Sequence, residues 1–596
     1  MSHALKERLV VGGASGFWGE ADHATAQLLQ HDGLNVLVYD YLAEITMSLM
    51  ARAKMKDPTK GYAVDFVTSV MKPNLKDIAA QGVKVLSNAG GVNPVACAAA
   101  LRDEIAKQGL TLKVGVVTGD DLIDRLDEFA QSREMFSGEP WPGAGKMASI
   151  NAYLGARPIV AALNAGADIV VTGRCVDSAL TLAAAMHRFG WEAHDLLAAG
   201  SLAGHLLECG PQATGGNFTD WQDAGDIANI GYPIAEIFGD GSFEITKPAG
   251  TTGIVSRASV AEQMLYEIGD PQAYLLPDVA CDFSQVEIVE TAADRVRVSG
   301  AKGRPPSGQL KVCATWLDGH RAGHVFQYAG TNARAKAIAF VEAGLSRARG
   351  KLRAMNAPDY DDVCIETFGG RTTCGGQTGN DQFEEITVKA AVKHADPRAV
   401  GLFLKEVVGG ALATPPGLHF FTGAGRPKPS PVLRLFSFLI NQQAADIAVE
   451  VDGSVVPVST GESGGNTRPP PHAVVPPEDV PLRVVPLERL AWARSGDKGD
   501  SANIGVIARR AELLPFIWAA LDDATIREAL PTVKGAIERF YLPGTASMNI
   551  LCGAALGGGG IASLLNDSQG KAFAQRILAV PVAAPTDIVA ELEGAT

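Results

Sequence analysis

The sequence predicts an α/β protein: a mostly parallel sheet flanked by helices, then an α+β region and a C-terminal ferredoxin-like α+β domain. Three observations carry this. Between residues 8 and 245, short apolar runs alternate with helical patterns, as a parallel sheet covered by helices requires. Many of the 66 glycines among the 596 residues follow directly on apolar runs. From residue 485 onward, two strand-helix-strand passes fill a stretch of the right size for a ferredoxin-like sandwich.

Five strand ends follow in order. LVVGGASGFWGE (residues 9–20) reads as a strand, a glycine turn and a helix from Ala21 to Gln30, and NVLVYDY (35–41) as a buried strand ending in Asp40. VKVLSNAGGVNP (83–94) ends in a helix start, with Asn93 as N-cap and Pro94 at the first helical position. KVGVVTGDDL (113–122) turns at Asp120 and Asp121, and ADIVVTGRCVDSAL (167–180) at Asp177. In an open parallel sheet, ligands bind outside the carboxyl ends of the strands, so these polar clusters should share one rim. Capping alone also accounts for Asn93, Asp120 or Asp121, and Asp177 taken singly.

The turn GGASGFWG places Gly12, Gly16 and Gly19 after the first strand, with Asp40 where a ribose hydroxyl would be held. Its spacing is G-x-x-x-G-x-x-G, and Phe17 and Trp18 crowd the place where a pyrophosphate would approach. Nicotinamide binding and a phosphate or pantetheine contact both remain open there. No GxxxxGK[ST] occurs. In SLAGHLLECGPQATGGNFTDW (201–221), His205, Glu208 and Cys209 stand at i, i+3 and i+4 and share a helical face. An imidazole beside a carboxylate is a general acid/base pair; helix-end pairing with a core thiol, or metal ligation, fits the same spacing.

Residues 246–460 mix β-branched alternation with helices such as 333–352, an α+β second part. Within it the Pro/Gly loop 414–431 offers His419, Arg426 and Lys428 to an anionic group, or simply connects two elements. The Pro/Gly-rich stretch 461–484 reads as a linker and the clearest boundary, so 485–596 should be separable from the 1–245 core domain. That last domain opens with a strand over 486–509 containing RSGDKGDSANIG, where Asp497 and Asp500 either hold a cation or form a polar turn.

Composition narrows the function. With 52 basic and 66 acidic residues, a net charge of −14 argues against a general grip on nucleic acid or anionic membrane. A 46% hydrophobic content and mean hydropathy of +0.09 exclude disorder. The eight scattered cysteines form no CxxC pair, and no apolar run approaches the ~18 residues of a membrane span, so a reduced, cytoplasmic protein is expected.

Taken together, GGASGFWGE, SNAGGVNP, TGDDL, NAYLGARPIVAALNAGADIVVTGR, ECGPQATGGNFTDW, LYEIGDP and ARSGDKGDSANIG resemble the acyclic terpene utilisation AtuA family, including its C-terminal ferredoxin-fold domain. The resemblance runs from about residue 7 to 585. It implies bacterial catabolism of citronellol- and geraniol-type acids, or other branched acyl chains, as coenzyme A thioesters. It transfers no catalytic residues. From the residues themselves, the expectation is a hydratase or dehydratase acting on an enoyl- or 3-hydroxyacyl-CoA, with coenzyme A entering only as part of the substrate and no further cofactor or metal. His205, Glu208, Asp177 and Arg174 are the expected catalytic groups. Gly12, Gly13, Ser15, Gly16, Trp18, Asn88, Gly90, Gly91, Asn93, Asp120, Gly215, Gly216 and Asn217 are the expected substrate-binding residues, the glycine turns supplying N–H donors for an enolate oxygen. A noncatalytic thioester-binding or scaffold subunit and a nicotinamide-linked oxidoreductase are the competing classes. A homo-oligomer is expected.

Overall fold

A computed structural model describes residues 8–594 except 21, 372–382, 420–426, 460, 462, 465–468, 470–473 and 475–479. The strands are β1 (Arg8–Ser15), β2 (Val36–Tyr39), β3 (Lys84–Ser87), β4 (Val114–Thr118), β5 (Met147–Ala152), β6 (Ile169–Thr172), β7 (Ile234–Phe238), β8 (Phe243–Thr246) and further strands given below by range. Five of them, in the order β1-β2-β3-β6-β4, run parallel. Their runs VLVY and IVVT are buried at every position, the pattern of strands covered on both faces. Antiparallel strands widen this parallel centre on each side. One edge carries β7, β8, Arg295–Ser299 and Glu287–Ala292, and the other Ala448–Val451 and Ser454–Val456.

The helices follow from spacing. Pro94–Lys107 begins where Asn93 Oδ1 accepts the N–H of Ala96 at 3.4 Å, and its Cys97, Leu101 and Ile105, four apart, sit in one core with Val10, Leu37, Val85 and Ile169. Ala179–Phe189 ends at Gly190 in the left-handed region (φ 67°), and it packs with His194–Leu207 against the sheet. Because all five parallel strands point one way, the segments Gly16, Asp40, Asn88, Asp120 and Arg174 leave the sheet at the same end.

Two compact units result, and they do not divide where the sequence suggested. The first comprises residues 1–315, 435–555 and 570–596; the second comprises 316–434 and 556–569. In the second unit, strand Phe383–His394 lies between Asp362–Arg371 and the part of the long strand Gln309–Thr331 beyond residue 316, antiparallel to both. Helices Ala333–Ala354 and Pro397–Gly409 cover one face, around Phe326, Phe340, Val388 and Phe403.

Among the described residues the C-terminal segment forms a four-stranded antiparallel sheet with four short helices. The span read as one strand over 486–509 is a hairpin, Ala491–Lys498 and Ser501–Ala508, reversed at Gly499 (φ 65°); the turn-forming SGDKGDS overrode the apolar runs around it. Much of the expected linker 461–484 lies outside the described residues. Of the rest, Gly464 donates to Pro306 O (2.9 Å) and Leu482–Pro486 pairs with Pro581–Pro585.

The last domain, expected to be separable, is tied to the core by buried polar contacts. Arg494, with 4% of its side chain exposed, sits 3.0 Å from fully buried Glu262 and donates to Gly216 O (2.9 Å) and Gln263 Oε1 (3.1 Å). Asn503 donates to Leu265 O (2.6 Å), Asn549 to Ile268 O (2.8 Å), and Arg509 to Asp220 (2.7 Å). Removing one partner of a buried ion pair strands the other charge, at a cost of about 3–5 kcal/mol. Arg494→Met should therefore lower the urea midpoint of the full chain sharply, and adding Glu262→Met should restore part of the loss. Equal stability of wild type and Arg494→Met would refute this anchoring role.

Candidate active site

The strand ends are fastened to one another. After β1, Ser15 Oγ donates to Asp40 O (3.2 Å); after β2, Asp40 Oδ1 accepts from Asn88 Nδ2, whose Oδ1 accepts from Tyr41 N (2.8 Å). Burial, reinforced by Asp177, pushes the Asp40 carboxyl well above the ordinary range despite Arg174 and Asn88. Asp120 Oδ2 accepts from Arg174 N (2.8 Å) and Asn151 Nδ2 (2.9 Å), tying the ends of β4, β5 and β6 together. Burial raises this carboxyl to about 7.

The glycine turn after β1 is filled by the chain itself. A Cβ on Gly13 would lie 2.7 Å from Leu207 O, and one on Gly16 2.8 Å from the Cys209 carbonyl carbon. The end of helix His194–Leu207 therefore rests on β1, and Glu208 reaches the rim. His205 is 1% exposed; its Nδ1 is 2.8 Å from Glu208 Oε1 and its Nε2 is 3.1 Å from Met264 O. A carbonyl accepts only, so Nε2 carries a hydrogen, and in the neutral ring Nδ1 is then a lone pair facing Glu208. The contact is a hydrogen bond only when one proton is shared, as imidazolium with carboxylate or imidazole with carboxylic acid. Both pKa values agree. Burial raises Glu208, with His205 pulling against it. Burial opposes the His205 cation, and Glu208 outweighs it, leaving the imidazole raised.

A second charged group faces the same rim. Arg174, 3% exposed, pairs with Asp177 at 2.7 Å and lies 4.1 Å over the Tyr153 ring. Tyr153 donates its hydroxyl to Glu44 (2.6 Å), and Lys311 stands 3.7 Å from Glu44. Burial works to raise Glu44, but Lys311, Arg174 and the tyrosine hydroxyl take it down to about 2.

The C-terminal hairpin contributes what the sequence reading missed. Exposed Lys498, at the tip of RSGDKGDSANIG, is 3.7 Å from Glu267. Desolvation opposes its charge, yet Glu267, Tyr274, Asp177 and Glu44 outweigh it and raise its pKa, so the ammonium sits among the rim carboxylates. Tyr274, 6.0 Å from the His205 ring between centroids, has its phenol pushed up by burial. The missed signal was the lysine between two turn aspartates, read only as a polar turn or cation site. In fact Asp497 faces Lys571 at 3.5 Å, and among the described residues no group of three His, Cys, Asp or Glu could hold a metal ion.

With this arrangement in view, comparison with known families is decisive. Residues 9–451 match the family described as acyclic terpene utilisation family protein AtuA, and residues 485–583 match the AtuA ferredoxin-like domain. The chain belongs to the AtuA family. No curated protein and no solved structure gave a match. The family's description ties the AtuA chain to acyclic terpene utilisation. Among the described residues, no helix is long and apolar enough to cross a membrane.

Several expected ligand contacts in this AtuA chain turn out to be structural. Gly16 N–H donates to Glu20 (2.6 Å), Trp18 Nε1 to Asp65 (2.6 Å), and Gly12 closes on Leu28. Asp40 is turned inward onto Asn88, so neither the pyrophosphate donor nor the ribose acceptor of a dinucleotide site is free there. Gly91 N–H donates to Asn88 O (3.2 Å) and Gly216 N–H to Pro211 O (2.8 Å), while a Cβ on Gly90 would strike Pro94. The N–H groups of Gly91 and Gly216 are thus engaged within their own turns. Asn93 caps its helix and bonds Pro58 O and Lys60 O, and Asn217 stands exposed with φ 52° in a turn whose Gly216 carbonyl holds Arg494. In the loop 414–431, His419 lies 3.4 Å from Glu385; Arg426 is outside the described residues.

A buried acid whose folded pKa is raised stabilises the fold least when ionised. Asp120 thus costs stability progressively as pH climbs from the ordinary aspartate value of 3.8 to about 7. Asp120→Asn keeps an acceptor for both donors and removes this penalty. The difference in urea midpoint, variant minus wild type, should grow in the variant's favour between about pH 4 and 7. A difference independent of pH would contradict the assignment.

Proposed function

We propose that the chain is an acyl-CoA lyase of branched or terpenoid acid catabolism, hydrating an enoyl thioester or dehydrating a 3-hydroxyacyl thioester. The observation that carries the reading is the 2.8 Å contact between His205 Nδ1 and Glu208 Oε1 at the rim, together with the 2.7 Å Arg174–Asp177 pair. Hydration needs a base for water, an acid for the α-carbon and a positive group for the enolate oxygen. Asp177, held by Arg174 at 2.7 Å, takes a proton from water as its oxygen bonds to the β-carbon. The π electrons move onto the thioester oxygen, where the Lys498 ammonium offsets the charge. Glu208, the partly exposed member of the dyad, then gives its proton to the α-carbon, and solvent restores it. His205 has both nitrogens engaged and is buried, so it is a positioning residue that sets the charge of Glu208. Dehydration runs through the same groups in reverse.

The test is a panel of branched enoyl- and 3-hydroxyacyl-CoA esters, following loss of conjugated thioester absorbance and a mass change of one water. Glu208→Gln should fold, bind the ester and lose about 10²- to 10⁴-fold in kcat. Lys498→Met should lower kcat more than it raises KM. In the hydration direction, activity should fall as pH rises past the raised pKa of the dyad, above 6.5, and His205→Gln should move that limb to lower pH. Full activity in Glu208→Gln would sink the mechanism.

A further inference from the structure

The second unit carries a groove that the reaction above does not use. Its volume is about 500 Å³, within the range of small-molecule sites. It lies on the sheet face opposite helices Ala333–Ala354 and Pro397–Gly409, where the loop 556–569 arches over strands Gln309–Thr331 and Phe383–His394. Arg321 holds that loop by donating to Ser563 O, Lys389 by donating to Leu564 O, and Glu366 by accepting from Asn566 N at 2.8 Å.

The charges lining this groove are unbalanced. Arg321, Lys389 and Lys428 line it, and no carboxylate does. Of these, Lys389 has its acid in Glu366, and outside the groove Lys393 and Arg434 share Asp318. Arg321 and Lys428 have no carboxylate within ion-pair distance among the described residues. Arg321 is half buried, and desolvation alone pulls its pKa down, so its charge is offset only by a carbonyl dipole. A desolvated cation without a counter-charge is unfavourable in the free protein and becomes favourable once an anion fills the space beside it.

The donors define the anion. A guanidinium fork, an ammonium, the hydroxyls of Ser430 and Ser568 and the amide of Asn566 surround more acceptor atoms than one carboxylate offers, and suit the three oxygens and near-double charge of a phosphate. Val325, half exposed, with Pro427 and Leu565, adds an apolar wall that inorganic phosphate would leave uncovered. We propose that this groove binds an organic phosphate of nucleotide size, with its phosphate between Arg321 and Lys428 and its body against the Val325 wall. The proposal is independent of the lyase reading, because none of the groove's residues takes part in the thioester chemistry.

Isothermal titration of the full chain with ADP, inorganic phosphate and citrate tests it. ADP should bind with a Kd below about 1 mM, weakening as salt rises, while phosphate and citrate bind at least about tenfold more weakly. Arg321→Met and Lys428→Met should each weaken ADP binding about tenfold or more, Lys428→Met without change in the thermal midpoint, since it holds no loop contact. His205→Asn in the first unit should leave ADP affinity unaltered. No heat with ADP at millimolar concentration, citrate binding as tightly as ADP, unchanged affinity in Lys428→Met, or loss of binding in His205→Asn would each overturn the proposal.

Discussion

The contact between the glycine turn after β1 and the end of helix His194–Leu207 is the constraint on which the candidate site depends. Backbone meets backbone there, because Gly13 and Gly16 have no Cβ to hold Leu207 and Cys209 away. That approach brings Glu208 over the carboxyl ends of the parallel strands, within electrostatic reach of Asp40 and Asp177. It also explains why the turn so resembles a phosphate loop without offering one. The glycines serve close packing, and the N–H of Gly16 is spent on Glu20.

So many ionisable groups in a partly desolvated rim must be paired, and the pairs divide by function. Asp40 with Asn88, and Asp120 with Arg174 N and Asn151, face inward and brace the strand ends. Arg174 with Asp177, His205 with Glu208, and Lys498 with Glu267 each keep at least one member open to the crevice. Pairing an exposed charge with a buried one leaves it oriented while still able to meet a substrate. The C-terminal hairpin belongs to this scheme. Arg494 anchors its strand in the core through Glu262, and four residues further on Lys498 emerges at the rim. The ferredoxin-like domain is thus fastened to the core and carries Lys498 beside Glu267.

Element types were readable in the chain because they are local. Continuous apolar runs ending in glycine or polar turns gave the five parallel strands, Asn93-Pro94 gave a helix start, and i, i+3 spacing put His205 beside Glu208. The division into units and the pairing of β1 with β7 and of β4 with Ala448–Val451 were not, since each depends on contacts between residues far apart in sequence, whereas the hairpin at Gly499 is local and was missed because its turn lies between two apolar runs. Asp177 shows the limit at one residue. Capping and ligand binding fitted its sequence equally, and neither foretold the 2.7 Å pair with Arg174 that the fold adds.

By itself the sequence determined the α/β class, the shared strand-end rim, the His205–Glu208 pair and membership of the AtuA family. Only the tertiary structure decided which polar groups there are braces and which are open to chemistry. It alone brought Lys498, more than 280 residues from His205, into the same field. The physical reason is that a side chain's role at such a rim is set by desolvation and by its partners' distances. Both are properties of packing between distant segments, and neither is encoded by neighbours in the chain.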